Sequence, residues 1–428
     1  MKFCHTRRIP VVAFSGGTSF EGNFANTRRG LCIDFGRMAQ VLALHKEDLD
    51  VVVQPGVGYE ELNERLKEER LLFPPDPGMF CCTERYWLKV EELMMFTHRS
   101  WSNDRWYGRN RLLRHKRLPL RHDEELGHLP HYRPHRSTII KTRQRPSKSS
   151  AGYDLSRLFT GAEGTLGLVT EAVLKVTVLP QNERVAVAAF SSIREATQCV
   201  SRVVQSGIQV AAVELLDAVS VKCLNESGST DREWEEAPTL FFRFSETENG
   251  VREEIAVVKG LAEGMGNKSF IFAEDEQEST DLWMARKTIL WGTAAVEKND
   301  DDKLWATDCA LQVSRLSDMI EQTKADLESC GLVHCVIGHV GDGNFHSAIF
   351  YSDEEKPIAE AVVHRMVERA IEMEGTVTGE HGAGLVKRDY LPLELGQGTV
   401  DAMRRVKNAL DPLCLLNCDK VVRMEADR

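Results

Sequence analysis

Two histidines and an acid–histidine pair are the residues of this chain best suited to chemistry. The stretch Gly338-His339-Val340-Gly341-Asp342-Gly343-Asn344-Phe345-His346 places a Gly-Asp-Gly-Asn turn signal between two apolar runs. Val336-Ile337 precedes it and Ala348-Ile349-Phe350 follows, a pattern that predicts a β-hairpin. With Gly341 to Asn344 as the turn, His339 and His346 stand opposite each other, roughly 5 Å apart at Cβ. Two imidazoles so placed suit a divalent cation, zinc or manganese. Glu380, in Gly379-Glu380-His381-Gly382, supplies an oxygen as third ligand and leaves positions open for substrate. His381 then sits beside the metal as a general base. The same residues also fit a hydrogen-bonded histidine pair at a tight turn, or a metal-dependent hydrolase using the two histidines and the glutamate.

The elements that must position these groups belong to a chain of 428 residues, long enough for two or three domains. Hydrophobic residues make up 42% and charged residues 28%, an ordinary globular balance. The net charge of −11 argues against nucleic acid as the main partner. No run approaches the roughly 20 apolar residues of a membrane span. The 11 cysteines follow neither zinc-finger spacing nor a secreted framework, which points to a reducing compartment. The first ten residues are too short and polar for a secretory signal, and they run straight into Val11-Val12-Ala13-Phe14. A chain that enters a strand so early is expected to have lost a preceding N-terminal part.

After that strand comes Ser15-Gly16-Gly17-Thr18-Ser19-Phe20-Glu21-Gly22, whose adjacent glycines and hydroxyls let backbone N–H groups converge on a pyrophosphate. It is neither a G-x-G-x-x-G fingerprint nor a P-loop. Further on stand Val51-Val52-Val53-Gln54-Pro55-Gly56-Val57, Leu71-Leu72-Phe73-Pro74-Pro75-Asp76-Pro77-Gly78 and Gly161-Ala162-Glu163-Gly164-Thr165-Leu166-Gly167. In that order, and followed by the two histidine motifs, they resemble the FAD-linked oxidases of the vanillyl-alcohol oxidase superfamily. Within that family the resemblance is nearest to the mitochondrial, cytochrome-linked D-lactate dehydrogenase branch. It implies an α+β protein: an FAD-binding PCMH-type module of two α/β subdomains, and a substrate-capping domain with an antiparallel sheet and helices. It also implies FAD on Ser15, Gly16, Gly17, Thr18, Ser19 and Gly22, with a second contact at Glu163, Gly164 and Gly167. Asn417 keeps its place in a tail that folds back on the flavin. There Cys418-Asp419 replaces the expected Pro-Gly, which should loosen the turn.

One block departs from the family. From about Met79 to Ser137 no helical or strand period survives, and the composition turns basic and histidine-rich. A family member carries here a segment ending Ser-Gly-Thr-Asn-Ala-x-Arg-Tyr-Gly-Thr-Met that packs on the flavin. Codons compatible with Arg114 to His122, read one nucleotide on, give Gly-Thr-Asn-Ala-Cys-Arg-Tyr-Gly-Thr. The block therefore reads as an out-of-frame segment, the alternative being a lineage-specific insertion. A polypeptide lacking that cradle is expected to retain little FAD.

Residues 1–180 form the expected FAD domain and 181–428 the cap, with 400–428 returning to the first. In the cap, Asp281-Leu282-Trp283-Met284-Ala285-Arg286-Lys287 reads as a helix. By resemblance Arg286 holds the substrate carboxylate, to which a planar fork is well matched. The implied function is FAD-dependent oxidation of D-lactate to pyruvate with electrons passed to a cytochrome-type acceptor. D-2-hydroxyglutarate or glycolate are alternative substrates, and an inactive product of a faulty gene model is the remaining one. The resemblance also implies a mitochondrial location, although the chain shows no targeting segment.

Overall fold

The computed structural model describes residues 1–17, 19–74, 129–130, 137–146, 148–228, 230, 232–293 and 302–424. Thr18 and nearly all of the block from Met79 to Ser137 lie outside the described residues, as does the out-of-frame reading of that block. Two compact units divide the rest. One holds the described residues before Pro180 together with those from Glu380 onward; the other is Pro180–Gly379.

In the first unit the β-branched run after Pro10 forms β1 (Val11–Phe14), parallel to β2 (Leu31–Asp34). The chain's tail also pairs with β1. The Val11 N–H donates to Leu415 O and the Asn417 N–H to Val11 O, both at 2.7 Å. β3 (Val41–His45), β4 (Asp50–Val53) and β5 (Ala172–Lys175) make an antiparallel sheet with β4 in the centre. Their alternate residues Val51, Val53, Ala172 and Leu174 close over Leu62 and Leu66 of α1 (Tyr59–Lys67). Burying that one face is what holds the small sheet and its helix together.

The second unit runs β6 (Asn182–Ala189), α2 (Ile193–Ser206), β7 (Ala212–Leu216), α3 (Ala218–Ser227), β8 (Thr239–Glu246), α4 (Glu248–Glu263), β9 (Ser269–Phe272) and α5 (Glu276–Gly292). It continues with β10 (Lys303–Ala306), α6 (Leu316–Ser329), β11 (Val333–Gly338), β12 (Asn344–Tyr351) and α7 (Lys356–Glu372). The strands lie in the order β9-β6-β8-β7-β11-β12-β10 and every pairing is antiparallel. Leu240, Phe242 and Phe244 alternate into a core with Val203 of α2, Val258 of α4 and Ile320 of α6. On α5 the buried stripe is Leu282, Ala285, Arg286 and Ile289, which is helical spacing with an arginine in it. An arginine on a core stripe demands a partner.

The hairpin of β11 and β12 differs from the sequence reading by one residue. His346 pairs with Ile337, not His339. The His339 carbonyl accepts from the Asp342 N–H at 3.0 Å and the Asn344 N–H at 3.3 Å, so the turn is Val340 to Gly343 and Asn344 opens β12. Gly343 sets this limit. It holds φ +79°, and its carbonyl accepts from the Leu311 N–H at 2.9 Å. A Cβ there would stand 2.0 Å from Leu311 O. Gly343→Ala is therefore expected to cost about 2–4 kcal/mol through strain and displacement of that contact. Urea unfolding of the variant beside the parent measures it; an unchanged midpoint would show that the turn is not fixed at Gly343.

Candidate active site

In the second unit the two histidines become diagonal neighbours on one face of the hairpin. Their ring centroids are 5.5 Å apart with planes at 86°. His346 is held through Nδ1, which donates to Thr307 O at 2.8 Å. His339 is held through Nδ1 against Glu214 Oε1 at 3.0 Å. A proton on Nδ1 of each ring suits these contacts, since Thr307 O and the Glu214 carboxylate only accept, and it leaves the Nε2 lone pair as the ligating position. A divalent metal needs such a lone pair, and the residues present fit one.

Glu214 also joins Arg286. Nη2 of Arg286 donates to Glu214 Oε2 at 3.0 Å and lies 3.1 Å from His339 Nδ1. Glu214 is 6% exposed and Arg286 1%, so neither charge is met by bulk water. Burial pushes the Glu214 carboxyl up in pKa, but Arg286 and His339 outweigh it and hold the group below the usual carboxylate range. The imidazole proton goes to the carboxylate because the guanidinium is a donor only. Among the described residues Nε and Nη1 of Arg286 have no hydrogen-bond partner. The guanidinium therefore retains donors for an incoming carboxylate.

Gly379 ends this unit with a close approach. A Cβ on it would stand 2.7 Å from Cγ of Asn344, the residue opposite His339 in the hairpin. Glu380 follows it in the chain. Asp308, next to the carbonyl that orients His346, accepts from Thr378 Oγ1 at 3.0 Å.

In the first unit His381 has Nδ1 4.0 Å from Glu21 Oε1 and Nε2 3.8 Å from Glu380 Oε1. Glu21 pairs in turn with Lys387 at 2.8 Å. The glycine loop after β1 carries Gly17 at φ +77° and Gly22 at φ +70°. The second loop carries Gly161, Glu163 and Gly164 at φ +76°, +51° and +67°. Left-handed residues within loops can turn successive N–H groups to one side, the arrangement that the flavin pyrophosphate implied by the resemblance would need. Ser15 bonds to Pro55 O at 3.4 Å, while Gly16, Ser19 and Gly167 complete the loops. Asn417 Nδ2 donates to Glu163 O and Asn23 O, so the tail ties the two loops together.

Glu163 itself turns inward. Its carboxylate accepts from Asn23 Nδ2 and the Ala383 N–H at 2.8 Å and from the Gly384 N–H at 3.0 Å. Burial raises its pKa to about 7; the bonds from Ala383, Asn23 and Gly384 pull against that, and Glu21 adds to it.

Glu214, Thr307 and Glu21 were not singled out from the sequence. Glu214 had a signal, being the lone acid in the apolar strand Ala211-Ala212-Val213-Glu214-Leu215-Leu216. Thr307 acts through its carbonyl, which no side-chain pattern announces.

The raised pKa of Glu163 carries a sign. The folded chain keeps this proton up to about pH 7, while an unfolded glutamate releases it near 4.3. Stability present below that lower value is lost as pH rises towards 7, by about 3 kcal/mol in all. Glu163→Gln has no proton to lose. The stability difference between parent and variant should shift by that amount from pH 4.5 to 8 in denaturant titrations, and parallel curves would refute the linkage.

With the geometry in place, comparison with known proteins gives a consistent result. The family model for the FAD linked oxidases, C-terminal domain, matches residues 179–421, and that for an FAD binding domain matches residues 1–83. D-lactate dehydrogenase [cytochrome], mitochondrial, of Kluyveromyces lactis is 43% identical over 99% of this chain and 71% of its own. Glycolate oxidase subunit GlcD of Bacillus subtilis is 28% identical over all of this chain and 86% of its own. The crystal structure of p-cresol methylhydroxylase with substrate bound superposes with TM-score 0.73 at 15% identity, covering 100% of this chain and 87% of the other, a likeness of fold. By the family model and by identity over nearly its whole length, the chain belongs to the FAD linked oxidases.

Proposed function

We propose that this chain is built for the FAD-dependent oxidation of D-lactate to pyruvate, with electrons passed to a cytochrome-type acceptor in the mitochondrion. In this reading the first unit, with the residues from Glu380 onward, binds FAD, and Pro180–Gly379 caps the substrate. The observation that carries it is the buried Arg286, with donors still open, beside two imidazoles whose Nδ1 protons are already engaged. A small 2-hydroxy acid needs one cation for its carboxylate and a second electrophilic centre one bond away for its hydroxyl. The names carried by the relatives in yeast, plant and fish support the substrate, and those of the yeast and plant relatives the acceptor. No described helix is long and apolar enough to cross a membrane.

FAD, when bound, supplies the acceptor for the hydride leaving C2. The metal would be held by His339, His346 and Glu380 and would supply positive charge that makes the hydroxyl more acidic. Arg286 binds and orients the carboxylate. His381 accepts the hydroxyl proton, and Glu21, 4.0 Å from Nδ1, favours the resulting imidazolium. A dicarboxylate such as D-2-hydroxyglutarate would need a further cation for its second acid group. Glycolate lacks only the methyl group.

The test compares two proteins: the chain as it stands, and a version with Asn103 to Arg133 replaced by the shifted-frame residues. Flavin absorbance and dye reduction by D-lactate, glycolate and D-2-hydroxyglutarate are read on both. The second protein should hold more flavin and reduce dye fastest with D-lactate. Preference for a dicarboxylate would overturn the substrate. Equal flavin and activity in the two would show the block to be a functional insertion. In the active form Arg286→Lys keeps the charge but loses the fork, at about 2 kcal/mol, so kcat/KM should fall roughly thirtyfold. His381→Gln should lower kcat by 10²–10⁴-fold, roughly the contribution of a general base.

A further inference from the structure

We propose that Glu214 is the positioning residue of this site, one carboxylate that sets the tautomer of His339 and the orientation of Arg286 together. The inference rests on the metal reading above and extends it to a residue outside the ligand set.

Glu214 lies on β7, buried in an apolar strand, where an acid has no reason to be unless something holds it. Its two oxygens are divided: Oε1 takes His339 Nδ1 and Oε2 takes Arg286 Nη2, each at 3.0 Å. A buried ion pair by itself adds little over well-packed apolar side chains. Its value here lies in what it fixes.

With Glu214 ionised, the proton of a neutral His339 belongs on Nδ1. The opposite tautomer would set a nitrogen lone pair 3.0 Å from a carboxylate oxygen, and lone pair against lone pair is repulsive. Without the carboxylate, Arg286 at 3.1 Å still presents its N–H donors to Nδ1. A guanidinium there draws the lone pair to Nδ1 and moves the proton to Nε2, the ligating position. Removing Glu214 therefore reverses the preference instead of merely weakening it.

The shared carboxylate also ties the carboxylate-binding group to the metal-binding one, so neither shifts alone.

The experiment uses the full-length chain, its Glu214→Gln and Glu214→Leu variants, and Asp217→Asn as a control. Asp217 is a buried acid of the same unit, paired with Lys324, that touches neither histidine nor Arg286. Zinc affinity is read by competition with a chromogenic chelator. The His339 tautomer is read from ¹⁵N shifts of histidine-labelled protein, assigned with His339→Gln. The parent should show Nδ1–H. Both Glu214 variants should shift towards Nε2–H and bind zinc 10–100-fold more weakly, while Asp217→Asn keeps parental values.

Three results would overturn the proposal: an unchanged tautomer in the variants, zinc binding in them equal to that of a zinc-binding parent, or an equal loss in Asp217→Asn. If the parent binds no zinc while the tautomer still follows Glu214, the metal reading fails and the positioning role stands.

Discussion

A carboxylate removed from water must be met by donors on every side, and in this protein buried acids decide which segments meet. Asp217 caps α3 through the Ser220 N–H at 2.9 Å and also accepts from the Val336 N–H at 3.1 Å, so it fastens that helix to β11. In the first unit Asp411 accepts from Lys407 Nζ, the Leu415 N–H and the Leu416 N–H. Lys407 continues to Thr165 O at 2.6 Å, which brings the tail to the second glycine loop. Glu163 and Glu214 do the same for the candidate site. Each joins residues far apart in sequence, and Glu214 would leave uncompensated charge if Arg286 were lost.

Much of this was legible in the sequence where a period or a turn signal exists. The alternation in Leu240-Phe241-Phe242-Arg243-Phe244 and the glycine-rich turn after Ile337 both read correctly as strand and hairpin. The register did not. Gly341 and Gly343 are equivalent as turn formers, and the choice is made by Leu311, a residue from another segment. Arg286 was picked out only by resemblance, since an arginine in Trp283-Met284-Ala285-Arg286-Lys287 looks like any helical surface residue. Its burial follows from Leu282, Ala285 and Ile289 sharing its stripe, and from a carboxylate waiting on β7.

The tail shows how a departure from a family pattern is absorbed. Asp419 holds φ +68°, the left-handed backbone for which glycine is the usual choice and aspartate a tolerated one. Arg28 grips its carboxylate in a fork, through Nε at 2.8 Å and Nη2 at 2.7 Å. The expected loosening is thus opposed by a bidentate ion pair to the loop before β2. Lys420 adds bonds to Ala25 O and Cys418 O.

The placement of His339 and His346 on one face depends on a parity. Side chains alternate along a strand, so the pair shares a face only when the residue counts on the two sides of the turn agree. With Val340 to Gly343 as the turn, His339 stands opposite Asn344, and His346 lies two residues further along β12. Two is even, and the rings meet. A turn one residue longer or shorter would send His346 to the other face and leave Thr307 O without the ring it orients. Gly343 fixes that count through its left-handed backbone and its contact with Leu311, so a glycine with no side chain of its own determines whether the two imidazoles can share a ligand.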